Sequence, residues 1–180
     1  MHNLNKLFKE CLLDLDAIGI EYGNIVEIKV NTRAKSRWGQ CKLLNYEYTE
    51  YWEEYEYSIN ISDRLLNDNV KVERVKDTII HEILHTCEGC MNHGEQWKRL
   101  ADLVNDCYSC YNIKRTTSSE EKGIEYIPKK YKYTLICNEC NRKYKYNRMC
   151  KALKYIADGN VGGRYKCKCG CRKFCVRENF

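Results

Sequence analysis

Thr78-Ile79-Ile80-His81-Glu82-Ile83-Leu84-His85 is the stretch on which the reading of this chain turns. Two histidines four residues apart on a helix are separated by about 40° of rotation, because four residues slightly exceed one turn. Their imidazoles therefore point at one spot, and that spot suits a tetrahedral zinc ion. Glu82 follows His81 directly, so its carboxylate can act on water as a general base without being a ligand. A catalytic zinc needs a third protein ligand and one open position. His93 is the expected third ligand. A continued helix would carry it about 12 Å along the axis, so the chain has to turn back, and Gly89 supplies the break. Glu88, Cys87, Cys90 and Asp102 are the alternatives.

Outward from this stretch, the periodicity alternates between helix and strand. Leu4, Leu7, Phe8, Cys11, Leu12, Leu15 and Ile18 recur at helical spacing, with Gly19 placed to end that helix. Residues 25–31 read as a strand, a second follows Trp38-Gly39, and Tyr55, Tyr57, Ile59 and Ile61 alternate along a third. The Glu- and Tyr-rich stretch from Asn45 to Glu56 is expected to be an exposed hairpin or loop. Ser62 and Asp63 open a short helix. The motif helix is expected from near Val70 to about Glu88, burying Val75, Ile79 and Ile83 or Leu84. Another follows from about Gly94 to Asp106, with Trp97, Leu100, Ala101 and Val104 inward. Thr116 to Gly123 is polar and reads as a linker, with the sole proline, Pro128, just beyond it.

The chain has 180 residues, of which 43% are hydrophobic, enough for one sizeable core and a small satellite. No apolar run reaches the roughly 20 residues that cross a bilayer, so no membrane partner is expected. Met1-His2-Asn3-Leu4-Asn5-Lys6 lacks the basic-then-apolar layout of a secretory signal, and the expected compartment is the cytoplasm. Thiols stay reduced there, so thirteen cysteines, an odd number, point to metal rather than to a disulfide framework. Charge is divided unevenly. Residues 1–125 carry 16 Lys+Arg against 22 Asp+Glu, a net of −6, whereas residues 126–180 carry 15 against 3, a net of +12. Two modules follow from that asymmetry, the basic one facing an anionic partner.

Cys137-Asn138-Glu139-Cys140 has the spacing of a zinc knuckle, and Cys167-Lys168-Cys169-Gly170-Cys171 supplies a second cluster. Together they read as a zinc ribbon, two knuckles with strands between. Cys137, Cys140, Cys167 and Cys169 are the expected ligands. Gly170 favours Cys169 over Cys171 for the fourth position, and Cys150 and Cys175 stay unassigned. Cys87-x-x-Cys90 and Cys107-x-x-Cys110 also match a structural zinc pattern, but the first pair lies inside the proposed catalytic site. A redox-sensitive Cys87–Cys90 pair is a further possibility. In the basic module, Lys129, Lys130, Lys132, Arg142, Lys143, Lys145 and Arg148 alternate with Tyr131, Tyr133, Tyr144 and Tyr146. The cations would neutralise phosphates, and the tyrosines would stack on unpaired bases unless one strand face buries them.

Three blocks resemble the SprT-like zinc metalloprotease family, which includes the Spartan-type proteases. They are Asn31-Thr32-Arg33-Ala34-Lys35-Ser36-Arg37-Trp38-Gly39-Gln40-Cys41, then Ile59-Asn60-Ile61-Ser62 with Leu65-Leu66, then His81-Glu82-Ile83-Leu84-His85 with His93-Gly94 and Trp97. A basic cysteine module behind the core is similar to the family's architecture. The resemblance implies an α+β, zincin-like core, helices packed on a small sheet, followed by a small β zinc-ribbon module. It implies His81, His85 and His93 as metal ligands and Glu82 as the general base. In the Spartan branch it also implies action on proteins bound or crosslinked to DNA.

The organisation expected is a metalloprotease domain over residues 1–115, a linker over 116–128 and a basic ribbon over 129–180, with one catalytic and one structural Zn2+. A protein substrate and DNA are the expected partners, and Arg33 and Arg37 are unranked candidates to assist the zinc. The competing reading is a non-catalytic, zinc-containing DNA-binding adaptor. A zinc-ribbon transcription factor would account for the C-terminal half only.

Overall fold

The structure, a computed structural model, describes residues 1–34, 36–48, 53–125, 130–160 and 165–180. Lys35, the 49–52 part of the expected hairpin, Pro128 and Lys129 lie outside the described residues. The fold is mixed α+β, and the chain divides into two compact units, Met1–Tyr126 and Ile127–Phe180.

In the first unit, α1 (Leu4–Ala17) is capped by Asn3, whose side chain accepts from the Lys6 N–H at 3.0 Å. That bond satisfies one of the orphan donors of the first turn. Leu4, Leu7, Cys11 and Leu15 form its buried stripe. Three strands follow: β1 (Asn24–Asn31), β2 (Gly39–Tyr48) and β3 (Glu53–Ser62). They pair in the order β1-β3-β2, with β1 parallel and β2 antiparallel to β3. Of the stretch from Asn45 to Glu56, expected as an exposed hairpin or loop, the described residues are antiparallel strand, as a hairpin requires. The β2–β3 ladder runs out as far as Tyr48 opposite Glu53.

The central strand is buried on both faces. Tyr57, Ile59 and Ile61 lie on one, and the small polar residues Ser58, Asn60 and Ser62 on the other. Alternation alone assigned only the apolar face. A 3₁₀ turn at Asp63–Leu66 leads to α2 (Val72–Leu84), and α3 (Glu95–Cys107) closes the core with Trp97, Ala101 and Val104.

Of these elements α2 is the most deeply set. It touches α1, α3, β2 and β3, and Val75, Thr78, Ile79, Ile80, Ile83 and Leu84 are all buried. A helix with neighbours on so many sides loses the polar face that a surface helix keeps. It ends at Leu84, four residues before the expected Glu88. The chain tightens there through bonds from Thr86 N–H to Ile83 O and Cys87 N–H to Leu84 O. Gly89, at φ +69°, then turns it back in the left-handed region that glycine tolerates.

Residues 116–125, expected as linker, instead pack on the first unit. The Trp38 indole N–H donates to Thr117 O at 3.3 Å, the Lys122 ammonium to Arg74 O at 2.8 Å, and the Arg64 guanidinium to Glu125 O at 3.0 Å. Polar composition suggested solvent. Here the polar groups are spent on hydrogen bonds to the body of the unit.

The second unit is a three-stranded antiparallel sheet of order β5-β4-β6, from β4 (Tyr133–Cys137), β5 (Lys143–Tyr146) and β6 (Phe174–Glu178). It also contains α4 (Lys151–Ala157), which corrects the expectation of strands alone between the cysteine clusters. Leu153 of α4 is fully buried in a cluster with Tyr133 and Leu135, against which Tyr144, Tyr146, Phe174 and Val176 pack.

Ile79 is fully buried at the centre of the first core. Ile79→Ala is expected to cost about 2–5 kcal/mol, the range for truncating a packed aliphatic side chain. Urea unfolding of the full chain measures it, and a loss within error of zero would contradict the burial described.

Candidate metal centre

His81, His85 and His93 converge, with one ring nitrogen from each lying within 4.8 Å of the others. Three different pieces of backbone bring them there. His81 lies on the last turn of α2, His85 is the residue that caps that helix, and His93 precedes Gly94, the N-cap of α3. The two rings of the motif are oriented by carbonyls. His81 Nδ1 meets Lys114 O at 2.9 Å, and His85 Nδ1 meets Cys90 O at 2.7 Å. A carbonyl only accepts, so each Nδ1 carries the proton and each Nε2 keeps its lone pair. His81 Nε2 and His93 Nε2 face each other at 3.0 Å.

Lone pairs gathered in this way fit a cation, and neutral imidazole is a zinc ligand. The electrostatics agree. Burial, and then the neighbouring His85 and His93, push His81 down to about 3, and burial lowers His85 and His93 as well. Neutral rings, ready to ligate, are the preferred state. Trp97 lies under all three, with ring centroids 4.8, 5.7 and 4.6 Å from His81, His85 and His93. Among the described residues, Cys87, Cys90, Glu88 and Asp102 do not join this group.

Glu82 sits on the side of α2 that faces β2. Its Oε2 accepts the Cys41 backbone N–H at 2.7 Å. It is almost fully buried, and burial pushes its carboxyl up to about 7, opposed by the Cys41 bond and the charge of Arg37. Gly39 makes this placement possible, since a Cβ there would stand 2.4 Å from Glu82 Oε1 and 2.6 Å from its Cγ. The Gly39-Gln40-Cys41 block thus has a physical role that its sequence did not disclose. Glycine leaves room for the carboxylate, and Cys41 contributes a backbone donor. His81 and Glu82 share the wall of one cavity of about 250 Å3.

The cysteines divide by environment. Cys137, Cys140, Cys167 and Cys169 bring their sulfurs within 4.8 Å of one another, with Cys137–Cys169 and Cys140–Cys167 both at 3.6 Å. Cys171 Sγ is instead engaged with Lys173, accepting its N–H at 3.2 Å. Tyr144 O–H approaches Cys167 Sγ at 3.2 Å and, as the leading cause, pushes that thiol down to about 6. A low thiol favours the thiolate that a metal takes. Cys87 and Cys90 are buried and pushed up, Cys87 to about 12, which suits inert thiols better than a redox pair. Cys107 and Cys110 are exposed.

The tyrosines of the basic module need a correction. Tyr133, Tyr144 and Tyr146 pack towards α4 and are not free to stack on bases. The opposite face of the same sheet carries Lys143, Lys145 and Arg177 around Thr134 and Ile136. The Lys145 ammonium sits over the Tyr131 ring, 5.3 Å from its centroid.

Gly39→Ala is expected to push Glu82 off Cys41 while leaving the three histidines in place. Overpacking of this kind costs about 1–3 kcal/mol. Thermal unfolding alongside a metal titration checks it. Unchanged stability, or loss of metal binding, would show that the two residues do not meet as described.

Among curated proteins and solved structures, none matches this chain. The model of the SprT-like family does match, over residues 5–118, a span running from α1 past the third histidine to the segment that orients His81. That span covers more than half of the sequence, and the chain belongs to the SprT-like family.

Proposed function

We propose that the first unit is a zincin-type, zinc-dependent endopeptidase acting on DNA-associated proteins, and that the second unit is a zinc ribbon that binds DNA. The observation that carries the enzymatic half is the convergence of three imidazoles, one of which, His81, shares a cavity wall with the buried Glu82. His81, His85 and His93 would hold the catalytic ion, and Cys137, Cys140, Cys167 and Cys169 the structural one. The catalytic ion, when bound, supplies Lewis acidity towards a water molecule and a peptide carbonyl.

The chain's own groups do the rest. Lys114 O and Cys90 O hold the imidazoles in one tautomer and orientation. Cys41 N–H occupies Glu82 Oε2, which leaves Oε1 to take a proton from water. A carboxyl that titrates near neutrality can take that proton and later return it to the departing amine. Burial keeps bulk water from competing for it.

The nucleic-acid half rests on charge. Lys143, Lys145 and Arg177 on one sheet face offer a phosphate backbone three cations, while the structural tyrosines keep to the other face. Contact through phosphates positions a protein without reading sequence. The thirteen free thiols suit a reducing compartment such as the cytoplasm.

Glu82→Gln is expected to retain two metal ions per chain by elemental analysis and to lose casein or histone cleavage by about 10²–10⁴-fold, the usual worth of a general base. His85→Ala and Cys137→Ser should each lose one ion. Cleavage that survives Glu82→Gln removes the mechanism. For the ribbon, replacing Lys143, Lys145 and Arg177 together by alanine should flatten the salt dependence of DNA binding. The slope of log K against log salt should fall by about 2 on single strands and about 3 on duplex. An unchanged slope would place the DNA contact elsewhere.

A further inference from the structure

The cavity beside His81 and Glu82 has more to do than expose a base. Its walls come from the chain entering β2, from α2 and from the 112–117 segment, and Lys122 forms part of its lining. Four cationic residues line it, Arg37, Lys114, Arg115 and Lys122, against two acidic ones, Asp77 and Glu82. Asp77 is already engaged, with the Arg74 guanidinium at 2.8 Å and the Asn112 N–H at 2.9 Å. Lys114 is paired with Glu121 at 3.1 Å. That leaves Arg37, Arg115 and Lys122 against Glu82 alone, whose charge Arg37 faces, so the cavity keeps an excess of positive charge.

Lys122 is the most telling of them. It is only 2% exposed, in a stretch whose composition reads as linker. Its ammonium donates to a neutral acceptor, Arg74 O, and among the described ion pairs it has none. Burial pushes it down to about 8, with Asp77 opposing. An ammonium desolvated in this way gains from an incoming anion, because charges interact more strongly away from bulk water. An arginine at the rim adds a planar fork that matches a carboxylate.

Resting on the peptidase reading above, we infer that this cavity is a subsite for a carboxylate of the substrate peptide, carried by an acidic side chain or by a free C-terminus. The volume, about 250 Å3, lies below the roughly 300–1,000 Å3 of pockets for whole small molecules and suits one side chain. Since His81 and Glu82 form part of the same wall, the group it holds lies next to the bond being cut.

The test uses the zinc-loaded full chain. Peptide-library cleavage mapped by mass spectrometry should show Asp and Glu enriched at one fixed position relative to the cut. In parallel, calorimetry on zinc-loaded Glu82→Gln compares peptides with Glu or Gln at that position, each with an acid or an amide C-terminus. A preference for the carboxylate of about tenfold, falling to about twofold in Arg37→Ala and in Lys122→Met, supports the subsite. Arg37→Ala, at an exposed position, carries the test if Lys122→Met does not fold. Loss of affinity on amidation assigns the C-terminus as the source, and loss on Glu-to-Gln exchange assigns the side chain. Carboxylate preference without any cleavage upholds the subsite and counts against the peptidase reading alone. Equal binding of all four peptides, or a preference for lysine, overturns the proposal. So does an Arg37→Ala effect confined to a short oligothymidine, which would make the cavity a phosphate site.

Discussion

A carboxylate buried against a strand is the constraint around which the first unit is arranged. Removing Glu82 from water is costly unless its oxygens find donors. The Cys41 N–H offsets part of that cost, and the charge of Arg37 a further part. To receive the carboxylate, α2 must lie close over the start of β2, and the approach is so close that only glycine fits at position 39. The same placement fixes the rotation of α2. Once Glu82 faces β2, His81 and His85 are committed to the flank where the chain entering α3 delivers His93 and α3 itself delivers Trp97. Site and core are thus one packing problem, which is why the motif helix is also the most buried helix of the unit.

The parts of this arrangement that sequence could disclose are those written in side chains at fixed spacing. His81 and His85 announce themselves at i, i+4, and His93 beyond Gly89 follows from the need to turn back. The cysteine clusters are equally plain, down to Cys169 joining the group while Cys171 turns to Lys173. The parts that stayed hidden are mostly backbone groups. Cys41 N–H, Lys114 O and Cys90 O orient the three key side chains, yet every residue has an N–H or a C=O, so nothing in the letters marks them. Lys122 was hidden for a different reason. A polar stretch rich in Ser, Thr and Glu reads as solvated, and only the structure shows its ammonium folded back on Arg74.

Period-2 patterns also proved ambiguous in two opposite ways. In β3, alternation named one buried face, but the central strand is covered on both, with Ser58, Asn60 and Ser62 small enough to be buried on the other side. In β5, the Lys–Tyr alternation suggested cations and aromatic rings acting together on one partner. The sheet separates them, because successive side chains point to opposite faces. The short helix α4 provides the surface on which Tyr144 and Tyr146 are covered.

That separation has an evolutionary consequence. In the second unit, the residues that hold the fold and the residues that meet the outside occupy different sides of a single layer. Leu135, Leu153 and the inward tyrosines answer to packing, whereas Lys143, Lys145 and Arg177 lie on the outer face, where Lys145 covers only the Tyr131 ring. Related chains can therefore drift in the sign and density of their outer charge, and so change what they adhere to, without renegotiating the interior.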